Sequence, residues 1–230
     1  MSPGPRLDGF EEGDSNGTIV GEIPELPRPL RPTVPGIRSP PWTWAGDHWY
    51  RRIEAQPNKW TFQIREVGDL VAAIVGDGVG WSEPYRGKSR LRCEYTNDHN
   101  RQRDAKSHMD AGAFCESLPY GLAGAVVDPP WSPSQISRSY AEAGLKATSL
   151  DTSSNFHSRV RIPLARKIRP AGRAIVCGYR GLGFGRSNGF KLEALLVVVH
   201  PYDGEHQGWF LTVERKVHGT LGAWAGSRPE

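Results

Sequence analysis

Three scarcities bound this 230-residue chain before any motif is read. Cysteine is scarce: Cys93, Cys115 and Cys177 are an odd number of thiols, widely spread and without a CxxC pair. A disulfide framework is therefore not expected, and a reducing, cytoplasmic compartment is the default. Long apolar runs are lacking. No stretch approaches the roughly 20 apolar residues that a membrane-spanning helix needs, and the opening MSPGPRLDGFEEGD has no apolar core of the signal-peptide kind. Neither a membrane protein nor a secreted one is expected. Charge imbalance is small as well, with Lys+Arg 29 against Asp+Glu 25 and a net charge of +4. Such a surplus favours polyanionic partners only weakly.

What the chain has in quantity is glycine (27) and proline (19), against an apolar fraction of 37%. Nine of the 19 prolines fall in the first 41 residues, and GEIPELPRPLRPTVPGIRSPP places one at least every five positions. Proline removes backbone donors and disfavours helix at the residue before it, so that segment is expected to be extended or disordered. The expected organisation is a Pro/Gly-rich tail over 1–41, one folded domain over 42–218 and a flexible tail over 219–230. The length suits one catalytic domain and is short for two.

The domain opens on an aromatic and basic cluster, with Trp42, Trp44, Trp49 and Trp60 among Arg51, Arg52 and Lys59. Two readings fit it: an edge element packing its indoles inward, or a nucleic-acid surface on which indoles stack bases and cations hold phosphates. Next, Val67, Leu70, Val71, Ile74 and Val75 recur at helical spacing over 65–75, and Gly76, Gly78 and Gly80 end that helix. Downstream, strands are expected at 91–96, 124–127, 174–179, 192–200 and 209–213. Helices are expected at 110–118, 132–143 and 155–168. Such alternation predicts an α/β sheet with helices on its faces and an antiparallel strand pair at its end.

The sharpest feature is Ala125-Val126-Val127-Asp128-Pro129-Pro130-Trp131, a buried-type strand running into Asp-Pro-Pro-aromatic and then a Ser-capped helix. The carboxyl ends of parallel strands are where open α/β sheets place ligands. Two prolines stiffen the loop and remove two amide donors, leaving carbonyls to face a partner. An acidic acceptor, a rigid carbonyl and an aromatic face suit a planar ring bearing an exocyclic amine. Cys93, His99, His108 and Cys115 fit no standard zinc spacing, and no metal is expected.

With these residues the chain resembles the S-adenosylmethionine-dependent amino-group DNA methyltransferases, and more narrowly the phage-associated adenine-specific (N6) methyltransferase-like proteins. The resembling stretches are Asn58–Phe62 (NKWTF), Thr96–Asp98 (TND), His108–Ala111 (HMDA), Asp128–Ile136 (DPPWSPSQI) and the span from Cys177–Tyr179 to Val213–Lys216. The resemblance implies a Rossmann-like class I methyltransferase sheet, mostly parallel with an antiparallel C-terminal strand pair. It implies catalysis at Asp128, Pro129, Pro130 and Trp131. Glu83, Pro84, Tyr85 and Gly87 would form the loop against the methionine end of the cofactor, where the family tends to have an Asp-Pro-Phe-x-Gly-like element. Asp98 would take the cofactor's ribose and Asp110 its adenine amine, while Lys59, Trp60, Arg51 and Arg52 would face DNA. Two departures stand out. The first loop reads Glu-Pro-Tyr-Arg-Gly, and fewer than ten residues separate Gly87 from the next expected strand, whereas a parallel crossover normally takes about a dozen. Either the usual first helix is missing or the helix over 65–75 replaces it. The implied activity is N6-adenine methylation of DNA. Alternatives are cytosine N4, an RNA or a protein glutamine amide, and a non-catalytic nucleic-acid-binding module of the same fold.

Overall fold

The structure, a computed structural model, describes residues 42–217 except 57, 59, 154, 180–182 and 201–207. The expected tails over 1–41 and 219–230, and Lys59, lie outside the described residues.

The tryptophan-rich segment forms a sheet edge. Thr43–Trp44 (β1) returns through Gly46, whose φ of +93° suits a residue without Cβ, onto Trp49–Glu54 (β2). Along β2, buried Arg51 and Ile53 alternate with exposed Arg52 and Glu54, the period of a half-buried strand. Trp44 meets Trp49 edge-on, with ring centroids 5.2 Å apart. Arg65–Val75 (α1) has the bounds its apolar spacing predicts, and buries Val67, Leu70, Val71 and Val75.

Trp81–Glu83 (β3) and Tyr95–Thr96 (β4) pair in parallel, and the eleven residues between them contain no helix. The two options left by the sequence are thus both realised. The first crossover lacks its helix, and α1, arriving before β3, packs Val67, Leu70 and Val71 into one cluster with Trp81, Val126, Ile175, Leu196 and Leu211. The strand expected over 91–96 shrinks to its last two residues, because the chain first folds back on the turn before β3: the Glu94 amide donates to the Gly78 carbonyl at 3.0 Å.

The remaining elements follow the expected alternation. They are Ala111–Ser117 (α2), Leu122–Val127 (β5), Pro133–Glu142 (α3), Ser158–Lys167 (α4), Ile168–Gly178 (β6), Phe190–Val199 (β7) and Trp209–Lys216 (β8). Ser132 caps α3 by accepting the Gln135 amide at 3.2 Å, and Pro133 occupies the first turn, where its missing N–H costs nothing. Helix α4 starts three residues later than expected. Strand β6 starts six residues earlier, its first part irregular, with Ala171 at φ +62° and a register shift against β5.

The sheet order is β1-β2-β7-β8-β6-β5-β3-β4. Pairings β2–β7, β5–β6, β3–β5 and β3–β4 are parallel; β8 runs antiparallel between β6 and β7. This is the mostly parallel α/β sheet with an antiparallel C-terminal pair that the sequence predicts. One face carries α1. The other packs Phe114 and Cys115 of α2 and Val160 and Leu164 of α4 over Ala125, Val127, Ala174 and Val176. No described helix is long and apolar enough to cross a membrane.

Because α1 covers the face that the missing crossover helix leaves bare, its core side should be stability-critical. Leu70→Ala is expected to cost about 2–5 kcal/mol in urea unfolding. Arg65→Ala, on the solvent side, should stay within about 0.5 kcal/mol of wild type.

Candidate active site

Strands β3, β4, β5 and β6 point the same way, so their carboxyl ends deliver Glu83, Asn97-Asp98, Asp128 and Tyr179 to one edge of the sheet. A cavity of about 480 Å³ opens there, inside the range of about 300–1,000 Å³ usual for small-molecule sites. Asp128, Pro129, Pro130 and Trp131 form one wall, Pro84, Tyr85 and Gly87 another, and Asp98 and Trp60 also face it. Eight of the residues singled out in the sequence therefore share this cleft with Trp60.

The loop after β3 is fastened by Asp98. Its Oδ2 accepts the Gly87 amide and its Oδ1 the Asn100 amide, both at 2.8 Å. Gly87 has φ +53°, and a Cβ there would lie 2.9 Å from the Trp60 ring, so glycine is required by both backbone and packing. Trp60 in turn lies under two cations, with the Arg103 guanidinium carbon 4.8 Å and Lys88 Nζ 5.5 Å from its ring.

Other expected residues are placed differently. Glu83 does not line the cleft but lies buried beneath it, accepting Arg86 Nη1 at 2.6 Å through Oε2, while Oε1 has no partner among the described residues. Asp110 caps α2, its Oδ1 accepting the Ala113 amide at 3.0 Å and Arg159 Nη2 at 3.0 Å. It borders a small adjoining cavity of about 20 Å³ that shares Tyr85, His99, Ala111 and Pro130 with the cleft. Arg51 is buried with its guanidinium carbon 5.8 Å over the Trp42 ring, and Arg52 is exposed on the same strand. Neither reaches the cleft.

Three contributors were not anticipated. Asn97 is buried and ties three segments together: its amide donates to the Pro84 and Met109 carbonyls and its Oδ1 accepts the Met109 amide. Its place in the TND stretch was the available signal. Tyr179 and Trp209 converge on Trp131, with ring centroids 4.4 Å and 5.9 Å away. For Trp209 no local pattern announces that meeting, since the partners come from different strands.

Electrostatically, the strand ends are acid-rich and dry. Burial pushes the Asp128 carboxyl up to about 6, against a hydrogen bond from Thr61. Burial pushes Glu83 up to about 7, opposed by hydrogen bonds from Ser89 and Arg86 and reinforced by the Asp128 charge. Near neutral pH Asp128 is then mainly a carboxylate, able to accept hydrogen bonds at the cleft wall. Beside it stand a rigid proline pair and an aromatic face.

No protein-family model matches the chain, and no curated protein sequence matches it. Solved structures do resemble it. One is a candidate methyltransferase from Escherichia coli, at 10% identity over 76% of this chain and 97% of that one, with a TM-score of 0.42. Another is a candidate methyltransferase from Streptococcus mutans solved in complex with SAH, at 12% identity over 59% of this chain and 84% of that one, with a TM-score of 0.35. A third is a candidate DNA modification methylase from Thermus thermophilus, at 19% identity over 53% of this chain and 55% of that one, with a TM-score of 0.31. At such identities and TM-scores, any assignment of chemistry must come from the residues of the cleft.

The raised Glu83 carboxyl has a consequence for stability. A folded-state value of about 7 against an ordinary 4.5 means that the folded chain holds a proton which the unfolded chain releases across that interval. Stability from this group is therefore full below about pH 4.5 and declines up to about pH 7. Glu83→Gln keeps the neutral form at every pH. It should match wild type near pH 4 and exceed it at pH 8 by roughly 3 kcal/mol, at about 1.4 kcal/mol per unit, in denaturant unfolding.

Proposed function

We propose that the chain is an S-adenosylmethionine-dependent methyltransferase that modifies the exocyclic N6 amine of adenine in DNA, by direct transfer to a flipped-out base. The observation that carries this reading is the Asp128–Trp131 loop at the carboxyl end of β5, facing the loop that Asp98 fastens through Gly87 across one cavity.

The cavity fits the cofactor by its chemistry. Asp98 spends one acceptor site per oxygen on backbone amides, and a carboxylate has about four, which leaves capacity for a ribose diol. Carboxylates at Asp98 and Asp128 suit a cationic ligand, and Lys88, Arg103 and Arg138 on the same lining suit a ligand carboxylate. Pro84, Tyr85 and Gly87, braced by Glu83 through Arg86, would lie along the methionine end. Asp110, one small cavity away, would meet the adenine amine. When bound, S-adenosylmethionine supplies a methyl group on an electrophilic sulfonium.

The chain's own residues handle the acceptor. An exocyclic amine is a weak nucleophile because its lone pair is delocalised into the ring. Asp128 accepts one N–H and the Pro129 carbonyl the other, drawing the nitrogen towards sp³ geometry and fixing it in place, and the Asp128 carboxylate would take the proton that the nitrogen loses as the methyl group leaves sulfur for it. Trp131, held by Tyr179 and Trp209, stacks on the base. A base inside a duplex cannot reach such a wall, so extrusion is required. Trp60 with Lys88 and Arg103 beside it, and Arg52 on the exposed edge, are offered to the strand and its phosphates, which makes binding salt-sensitive. Arg51, stacked on Trp42, supports that edge from beneath. The three buried thiols suit a reducing cytoplasm of a bacterium or a phage-infected cell.

The test is incubation of the purified chain with radiolabelled S-adenosylmethionine and DNA from a methylation-deficient host, followed by nucleoside analysis. N6-methyladenine is expected. Label in N4-methylcytosine would move the reading to cytosine, and no transfer to DNA would contradict it. Asp128→Ala should lower the rate by at least about a hundred-fold, the scale of a lost transition-state contact, with the melting temperature no lower than wild type.

A further inference from the structure

The loop that presents Asp128 to the cleft is held at its far end by a side chain of the helix that follows it. Ser132 and Gln135 form a reciprocal pair. The Gln135 amide donates to Ser132 Oγ at 3.2 Å, and Gln135 Oε1 accepts the Trp131 amide at 2.7 Å. A Ser-x-x-Gln pair ordinarily closes on the amide of its own serine and does no more than start a helix. Here it closes one residue earlier, on Trp131, so the start of α3 and the Asp-Pro-Pro-Trp loop become one fixture.

That bond fixes which way the carboxamide faces. A backbone N–H can only donate, so the oxygen is the atom turned towards Trp131 and the nitrogen is turned away from it. Nε2 carries two donor hydrogens and has no hydrogen-bond partner among the described residues. Gln135 lines the same cavity as Asp128, Pro129, Pro130 and Trp131, and is exposed. Further along the helix, Ser139 Oγ meets His99 at 3.5 Å and Glu142 meets Arg103 at 3.6 Å. Gln135 combines a fixed position with an uncommitted donor.

Two acceptors for an amine, the Asp128 carboxylate and the Pro129 carbonyl, and one donor beside them describe a particular edge. It is a ring in which an exocyclic amine sits next to a bare ring nitrogen. Adenine has that edge, with N1 on one side of the amine and N7 on the other, and cytosine has it through N3. Guanine and thymine carry a carbonyl where the amine would be, so acceptors would face acceptors. We propose that Gln135 is a specificity-determining residue of the cleft, its Nε2 donating to the ring nitrogen that flanks the acceptor amine. A glutamine that reads adenine alone accepts the amine through its oxygen and donates to a ring nitrogen through its nitrogen. Here the oxygen is spent on Trp131, and Asp128 with Pro129 takes the amine in its place. The assignment deepens the methyltransferase reading above and rests on it.

DNA duplexes carrying adenine, 1-deazaadenine or 7-deazaadenine at a methylated site test this, with kcat/KM measured for full-length wild type and Gln135→Glu. Glutamate keeps an acceptor for the Trp131 amide and removes the donor, so this variant should melt near wild type. For one of the two analogues, the penalty relative to adenine should be about five- to ten-fold larger in wild type than in the variant, the scale of one neutral hydrogen bond. Each analogue's own reactivity cancels in that ratio between proteins. Gln135→Met, which removes brace and donor together, should erase the same discrimination and guards against a defect peculiar to the charged variant. Equal penalties in all three proteins overturn the assignment and leave the methyltransferase reading intact. No methyl transfer from wild type to ordinary adenine removes that reading and this assignment with it.

Discussion

The hydrogen bond from the Gly87 amide to the Asp98 carboxylate, 2.8 Å long, is the constraint on which the cleft depends. Parallel strands are ordinarily joined through a helix, which satisfies the crossover's own backbone and packs its apolar face on the sheet. Between β3 and β4 only eleven residues are available and no helix forms, so side chains must do the holding. Asp98 grips Gly87. Arg86 reaches back to Glu83 and to the Leu91 carbonyl, both at 2.6 Å, and Asn97 ties Pro84 to Met109. Most of these contacts involve an ionised group and are correspondingly strong. The bare face left by the missing helix is filled from upstream by α1, which makes a segment before the first central strand part of the core.

Acids gather where the strands end, and burial raises both Asp128 and Glu83. The rigid Asp128–Trp131 loop stands between the cleft, whose lining carries Asp98, Asp128 and Glu142 together with Arg86, Lys88, Arg103 and Arg138, and a second cavity lined in part by Tyr85, His157 and Arg161. The proline pair matters here because it stiffens the loop that holds Asp128 at the cleft wall.

How much of this could be read from the chain differs element by element. Helix α1 was legible to the residue because five apolar positions share one face, and α3 because Ser132 and Pro133 announce its start. The Asp-Pro-Pro-Trp loop was legible because an apolar strand leads into it. Strand β3 is three residues long and wholly buried, and three residues carry no period. The expected strand at 91–96 failed because Leu91 and Cys93 are buried in the core cluster that also holds α1 rather than by strand pairing. Asp110 caps α2 at the edge of the helix expected there, yet its ion pair with Arg159, 49 positions away, has no local signature. The second cavity draws on residues from Tyr85 to Tyr179, and spacing alone cannot bring those together.

The central claim is that the carboxyl edge of the sheet, between the Asp98–Gly87 brace and the Asp128–Trp131 loop, holds S-adenosylmethionine. Isothermal calorimetry with S-adenosylmethionine on wild type and on Asp98→Ala tests it most directly. One-to-one binding in the micromolar range is expected, weakened at least about ten-fold by the substitution that frees the loop. No heat of binding at millimolar ligand, or binding that Asp98→Ala leaves untouched, would contradict it.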